Sequence, residues 1–577
     1  AGAQTAVRPS ADSNEEVPDS ADLHGGARRE QRRFEQQRFR YMHVTTGSYG
    51  GECDERVGRF CVWWGDDPHW IPKPEAPEVA ALRDTLIVRL DSIQRLVPGD
   101  GWVLGQRVWY RGEAGRWSEA LAAARECGGA EAWWCAALEG LALHGLGRYD
   151  EADAAFRVAL AGMPPREARR WEVLDKSVDG KTAGLLDHAS PERRDTLLAR
   201  LWLLADPLYL VPGNDARTAH YARWTVATIR EGARNPHQVS WGSDLAELLV
   251  RNGWEIAWER VRNSFDLTAR DGVLGYNDPE GRDFMPPASA MEDPSTAAAA
   301  DLVADADRPR SLYQPAYAPV LLPMDGQLAV FPRGDSVAVV ATAFVPTDTT
   351  QRAREGQERP WMDPGPDKER PDEEGLFLVG PDGATVSLVA QGAGPARLLV
   401  RAPAGRYVVS SESWSPSRRV AGRLRRGLRV DTVPVDVATI SGLLLTDASR
   451  PEPVSLAAAA AAALPRAEVL PGQTFRVVWE LGGLGWTPEA VEYSLSVERA
   501  DPGALRRFGQ FLRLVDRDRP IALHWTEPGP PRPRRVLRSV RLDLPELDTG
   551  AYRVRLQAQL SGRAALTSEV VFRAIVR

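Results

Sequence analysis

Two hexapeptides place the first constraint on this chain of 577 residues: Gly115-Arg116-Trp117-Ser118-Glu119-Ala120 and Gly147-Arg148-Tyr149-Asp150-Glu151-Ala152 repeat one pattern 32 positions apart. Self-similarity at a period of roughly 20 to 50 residues marks stacked supersecondary units, none of which can bury its apolar face alone. Just upstream, Leu82, Leu86, Leu90, Ile93 and Val97 recur at three- and four-residue steps, the stripe of an amphipathic helix. The repeated unit is therefore expected to be helical and to stack on neighbours of its own kind.

Around the second copy, Gly140, Ala152, Phe156, Ala159 and Pro164 are separated by 12, 4, 3 and 5 positions. This pattern resembles the tetratricopeptide repeat. The resemblance implies two antiparallel helices packed through small residues, an aromatic ring filling the groove and a proline ending the second helix. The first copy departs from the family: Ala124 stands where the second copy has Phe156, and Cys127 where it has Ala159. A solenoid needs about three or more units, so helices before and after must complete the stack. Downstream, residues 193–204 and 216–232 are amphipathic, and Ser243 can cap a helix holding Leu245, Leu248 and Leu249. Trp241-Gly242-Ser243-Asp244 followed by Arg251-Asn252-Gly253 resembles the bacterial GWxTD-type domain, with Ser240 and Ser243 in place of the family's glycine and threonine. That resemblance implies an exported protein that combines tetratricopeptide repeats with a β-rich C-terminus.

The organisation read from composition has six parts. Residues 1–38, with hardly an aromatic before Phe34, are expected to be a disordered tail. Residues 39–76 collect Phe60, Trp63, Trp64 and Trp70 around a cysteine pair, which suggests a small stapled aromatic segment. Residues 77–265 read as the α-helical, tetratricopeptide-like domain, and 266–316, with six prolines, as an irregular linker wrapped over the domains. Beyond it, short alternating or β-branched runs separated by Gly, Pro and Asp turns replace the helical period. They predict two β-sandwich, Ig-like modules, at 317–438 with a charged loop at 351–374, and at 439–577. The expected fold class is thus a helical hairpin stack followed by two sandwiches.

The four cysteines fall into Cys53/Cys61 and Cys127/Cys135, each pair eight positions apart, and suggest two local disulfides. A tight helical hairpin around Gly128-Gly129 would bring the second pair within the roughly 4.4–6.8 Å of Cα separation that a disulfide needs. Zinc is the rival reading near Glu52, Asp54, Asp66, Asp67 and His69, but the spacing is wrong for it. Disulfides, together with Ala-Gly-Ala-Gln at the start of the sequence, point to a secreted, periplasmic or cell-surface protein. A net charge of −7 with both signs interspersed offers no basic stripe for nucleic acid, and no apolar run is long enough to span a bilayer.

Catalytic signatures are sparse. Asp179-Gly180-Lys181-Thr182 ends like a phosphate-binding loop, yet Asp175 places a carboxylate where the opening glycine belongs. The acid pairs Asp66/Asp67 and Glu373/Glu374 read more simply as solvated turns, and the eight histidines have no spaced partners. The chain is accordingly read as a non-catalytic exported scaffold without cofactor or metal, binding another protein or copies of itself. Candidate contact residues are Trp102, Trp109, Trp117 and Trp133, drawn from nineteen tryptophans, and Arg418, Arg419 and Arg423 from a basic cluster that also holds Arg425, Arg426 and Arg429. Two alternatives compete. A glycan-binding module would use Trp414, Trp479, Trp486 or Trp525 as a platform; a hydrolase would gather Asp66, Asp67, His69 and Asp283 in one cleft.

Overall fold

The computed structural model describes residues 20–47, 53–63, 73–263, 271–277, 281–302, 309–346, 370–392, 394–434, 436–470, 472–484, 489–500, 521–528, 535–544 and 547–575. Its N-terminal part is built of α1 (Ser20–Tyr41), α2 (Pro77–Leu96), α3 (Gly101–Glu113), α4 (Trp117–Arg125), α5 (Ala132–Gly145), α6 (Tyr149–Gly162), α7 (Pro165–Glu172), α8 (Gly180–Asp187), α9 (Pro191–Ala205), α10 (Asp215–Arg230) and α11 (Ser243–Asn252). Local chemistry sets several starts. Asp100 accepts the free N–H groups of Trp102 and Val103, and Asn214 caps α10 through Arg217 N. Asp179 accepts from Lys181 and Thr182, so the tetrapeptide that mimics a phosphate loop is a helix cap.

Helices α5 and α6 meet where side chains are smallest. A Cβ on Gly140 would lie 2.8 Å from the Phe156 ring, so the missing side chain is the seat of that aromatic. The Trp117 indole fills the corresponding space against Gly112 and Gly145, where added Cβ atoms would fall 2.4 and 2.2 Å from it. The repeated hexapeptides thus begin helices whose first aromatic, Trp117 or Tyr149, is buried.

Helix α1 corrects the expectation of a disordered tail over its whole length. Its inward face carries only Ala27 and Phe34 as apolar groups; Gln31, Glu35 and Arg38 complete it. Apolar counting misses such a face because its polar groups are matched. Arg38 forms a two-point pair with Glu113, Tyr110 Oη donates to Glu35 at 2.8 Å, and Gln31 donates to Tyr110 Oη and to the Arg234 carbonyl.

One strand, Ala257–Asn263, enters the stretch 77–265 expected to be all helical, and others structure the stapled segment 39–76 and the expected linker 266–316. β1 (His43–Gly47) precedes a hairpin of β2 (Glu55–Val57) and β3 (Phe60–Val62); β4 (Ala257–Asn263) lies parallel to β1 and antiparallel to β5 (Gly272–Tyr276). β6 (Arg282–Asp283), α12 (Ala288–Glu292) and β7 (Leu312–Tyr313) then carry the chain across the helices.

The β-rich part follows. Its first unit comprises β8 (Val320–Pro323), β9 (Leu328–Arg333), β10 (Ser336–Ala343), β11 (Glu373–Val379), β12 (Thr385–Gln391), β13 (Ala396–Pro403), β14 (Gly405–Ser415) and β15 (Val420–Val430). They form a five-stranded sheet, β12-β11-β14-β15-β8, facing a three-stranded one, β13-β10-β9. Val337, Val339, Leu398 and Val400 meet Leu376, Leu378 and Val409 between the sheets. The alternate residues Phe377 and Val379 point the other way, into a core shared with Trp202, Leu208 and Leu210 of the helical part.

The second unit holds β16 (Thr439–Ile440), β17 (Leu444–Asp447), α13 (Leu456–Ala461), β18 (Glu468–Val469), β19 (Phe475–Gly482), β20 (Ala490–Arg499), β21 (Ile521–Pro528), β22 (Arg535–Leu542), β23 (Gly550–Leu560) and β24 (Leu566–Ala574). A four-stranded sheet around β19 packs on β18-β24-β23-β20-β21 through Phe475, Trp479, Leu495, Leu556 and Phe572. The alanine tract of α13 explains how the units join. Ala459, Ala460 and Ala463 lie against Ala338 and Val340 of β10 and Val478 of β19, a close approach that only small side chains allow.

Candidate functional site: a charged cleft between the two β units

A cleft of about 420 Å³ opens where the first β unit meets the second, within the size range of small-ligand sites. Apolar walls come from Phe344 after β10, from Leu464 and Pro465 after α13, and from Leu470 and Ile575 beyond β18 and β24. Charged groups enter from both sides. Arg418, in the turn between β14 and β15, donates to Asp372 at 2.8 Å and to Ser415 Oγ at 3.0 Å. Arg466 lies 3.5 Å from Glu468 and 4.4 Å from the centre of the Phe344 ring.

Glu374 is the exception among these charges. It begins β11 as the neighbour of Glu373, and the two-residue period of a strand sends adjacent side chains to opposite faces. Glu373 is met by Arg370 and Gln391. Glu374 instead lines the cleft at 2 % exposure, and no described residue donates a hydrogen bond to its carboxylate. Burial, reinforced by the Asp372 carboxylate and only partly opposed by Arg418, pushes it up to about 7. The adjacent acids expected to form a solvated turn are in fact two buried positions with separate surroundings.

A second polar constellation joins the helical part to the five-stranded sheet. Arg425 and Glu412 pair at 2.8 Å with both side chains fully enclosed. Arg425 also donates to Ser410 Oγ and to the carbonyls of Leu204 and Asp206, and its guanidinium lies 3.8 Å from the Tyr209 ring centre. Glu412 accepts from Leu210 N and Ser410 Oγ. Nearby, Tyr313 Oη donates to Asp215, whose carboxyl burial raises to about 7.

The residues singled out from sequence fall into three groups. Both cysteine pairs are bonded, Cys53–Cys61 closing the β2–β3 hairpin and Cys127–Cys135 the turn from α4 to α5, with Cα separations of 5.4 and 6.0 Å. Trp109 and Trp117 are buried core rings, which removes them as surface anchors; Trp102 and Trp133 are partly buried, the former beneath Arg28 and the latter edge-on to Trp134. Among the described residues the tryptophan most open to solvent is Trp63, 46 % exposed beside the disulfide hairpin. Only Arg418 of the three arginines reaches the cleft. Arg419, at φ 54°, donates to the Ala316 carbonyl, and Arg423 donates to the carbonyls of Asp206, Pro207 and Leu302. Arg423 and Arg425 of the basic cluster clamp the helical part through main-chain oxygens of residues 204–207, which sequence patterns do not reveal.

The glycan platform is not formed by the described tryptophans. Trp414 and Trp479 are buried, and Trp525 stacks inward on Tyr493 at 5.0 Å; Trp486 lies outside the described residues. Asp66, Asp67 and His69 also lie outside them, while Asp283 accepts main-chain N–H groups of Met285 and Arg310. No three His, Cys, Asp or Glu side chains converge as a metal centre among the described residues. The charged loop expected at 351–374 is outside the described residues up to 369, and no described helix is long and apolar enough to cross a membrane.

The GWxTD-like segment has a definite structural role. Asp244 holds Arg59 through two contacts at 2.6 and 2.8 Å, and Arg251, 1 % exposed, grips Glu55 at 2.7 and 3.0 Å. Both acceptor–donor pairs seat the disulfide hairpin on α11.

No family model matches the chain, and no curated protein matches it. Among solved structures, red sea bream transglutaminase is similar at 9 % identity and a TM-score of 0.14, over 44 % of this chain and 32 % of that one. A calcium-binding mutant of Bacteroides uniformis β-glucuronidase 2 is similar at 10 % identity and a TM-score of 0.15, over 42 % of this chain and 27 % of that one. The chain thus spans about a third or less of each of these proteins, and likeness at this level carries no argument about fold or activity.

Proposed function

We propose that this chain is an exported, non-catalytic scaffold that binds another protein, or a second copy of itself, by adding a strand to the edge of its first β unit. The carrying observation is β12. It is the outer strand of the five-stranded sheet, its seven residues Thr385–Gln391 include no charge and no proline, and Leu388 and Val389 are 42 % and 47 % exposed. Edge strands are ordinarily protected by charge, proline or a bulge, because their unpaired N–H and C=O groups recruit another strand. The outer strand of the second unit, β21, carries such protection in His524, Glu527 and Pro528. Strand addition at β12 would supply main-chain affinity, with Leu388 and Val389 giving contact on the two faces.

Two further observations support the reading. The Arg425–Glu412 clamp and the shared cores hold helices and sheets as one continuous support. Two disulfides suit an oxidising compartment. In this reading the helical part is a tetratricopeptide-like stack and the β units are Ig-like sandwiches. A photo-crosslinking amino acid at Ser387 is expected to capture one discrete protein, or a second copy, in the native envelope or medium. Val389→Lys should abolish that product without changing the melting temperature. Crosslinks that persist in the Lys variant, or form only from the helical part, would refute strand addition.

A further inference from the structure

We propose that the cleft between the two β units binds an organic cation, an ammonium or guanidinium group carried on a short apolar stem. The charge inventory of the lining carries this. Three acids, Asp372, Glu374 and Glu468, face two arginines, Arg418 and Arg466. Arg418 is turned to Asp372 and Ser415, and Arg466 to Glu468 and the Phe344 ring. Glu374 is left over, almost fully buried and with no hydrogen-bond donor from the described residues. A carboxylate largely enclosed by protein and without a donor is costly unless it is paired or keeps its proton, and burial, with the Asp372 carboxylate beside it, has raised its proton affinity. An entering cation would supply the missing partner.

The remaining lining selects the shape of that cation. Phe344, Leu464, Pro465, Leu470 and Ile575 provide apolar surface in the same cleft as Glu374, so a stem of several methylenes gains burial as its head reaches the carboxylate. A bare inorganic cation would find one unshared carboxylate and no ring of oxygens. The same chemistry is offered by a free alkylamine and by a lysine or arginine side chain of a protein. The site is independent of strand addition: Val389→Lys leaves every lining residue in place, and the variants below leave Leu388 and Val389 unchanged.

The test is isothermal titration of the full chain with n-pentylammonium chloride, 1-pentanol and the peptide acetyl-Gly-Leu-Lys-Leu-Gly-amide. Saturable binding of n-pentylammonium at one site is expected, roughly tenfold or more tighter than 1-pentanol, the value of one charge-assisted hydrogen bond. Affinity should rise from pH 6 to pH 8 as Glu374 loses its proton beside Asp372, Glu373 and Arg418. Glu374→Gln should lose the tenfold preference while keeping or raising the melting temperature. Leu470→Trp, which fills the cleft and leaves Glu374 in place, should lose binding of all three probes. Tighter binding of the peptide than of n-pentylammonium assigns the site to a protein side chain, and the reverse to a free amine. Equal affinity for n-pentylammonium and 1-pentanol, unchanged affinity in Glu374→Gln, or no saturable binding at millimolar probe would overturn the proposal.

Discussion

Replacing Arg425 by Met tests whether the helices and the five-stranded sheet are held by the buried pair at their junction. Methionine keeps an apolar stem against Tyr209 but removes the guanidinium. Glu412 then retains the Leu210 N–H and Ser410 Oγ donors and loses its ion pair, while the carbonyls of Leu204 and Asp206 lose a donor each. Stranding one member of a buried pair costs about 3–5 kcal/mol, and the two donors that stay with Glu412 place the expected loss near 4 kcal/mol. Glu412→Gln strands the guanidinium less severely, because three neutral acceptors remain to it, and should cost about 2 kcal/mol. The double variant should cost less than the sum of the two, with a coupling of about 2–3 kcal/mol. Urea unfolding should be followed both by far-UV circular dichroism, which reports the helices, and by pulsed hydrogen exchange of strand peptides, which reports the β units. In Arg425→Met the helical signal should melt ahead of the β signal. A loss under about 1 kcal/mol with coincident transitions would show that the apolar contacts alone hold the junction.

Three further outcomes are expected. Asp215 is held protonated up to about pH 7, above its unfolded range, so the stability it contributes is complete below about pH 4 and is lost as pH rises through 7; Asp215→Asn should raise the melting temperature more at pH 8 than at pH 5, and an equal effect at both would refute this. Gly145→Ala would be mildly stabilising in an ordinary helix, by about 0.5–1 kcal/mol, but here its Cβ meets the Trp117 ring at 2.2 Å and should cost about 3 kcal/mol, partly recovered by Trp117→Leu; a neutral outcome in chemical unfolding would contradict the packing. Arg251→Met should free the disulfide hairpin and make residues 53–63 sensitive to limited proteolysis, with a stability loss of about 3 kcal/mol; a hairpin that stays resistant would show that Asp244 on Arg59 and Arg310 on Glu55 suffice.

Periodicity made the helices from α2 to α6 legible, because their stripes are apolar and the Gly140–Phe156 pairing is a matter of size alone. Helix α1 was not, since its buried face is polar and gains its partners from Glu113, Tyr110 and Arg234, far along the chain. The same difficulty governed the arginines. Residues of β15 look like a basic surface because sequence shows their charge and not the main-chain oxygens of residues 204–207 that receive them. Glu374 could have drawn attention as an acid at the head of the otherwise apolar run Gly-Leu-Phe-Leu-Val, but its unmatched charge depends on which arginines point elsewhere. The cysteine pairs were readable because an eight-residue spacing is a local property.

The seating of the β2–β3 hairpin and of α1 on residues some 185 to 203 positions later fixes an order of events during synthesis. At roughly 5–20 residues per second, the β2–β3 hairpin waits about 10–40 s before its seat on α11 exists. Cys53 and Cys61 are complete long before that, so the hairpin can arrive already oxidised and close the helical array as a finished clasp. An early-made hairpin is thereby kept for a late-made helix.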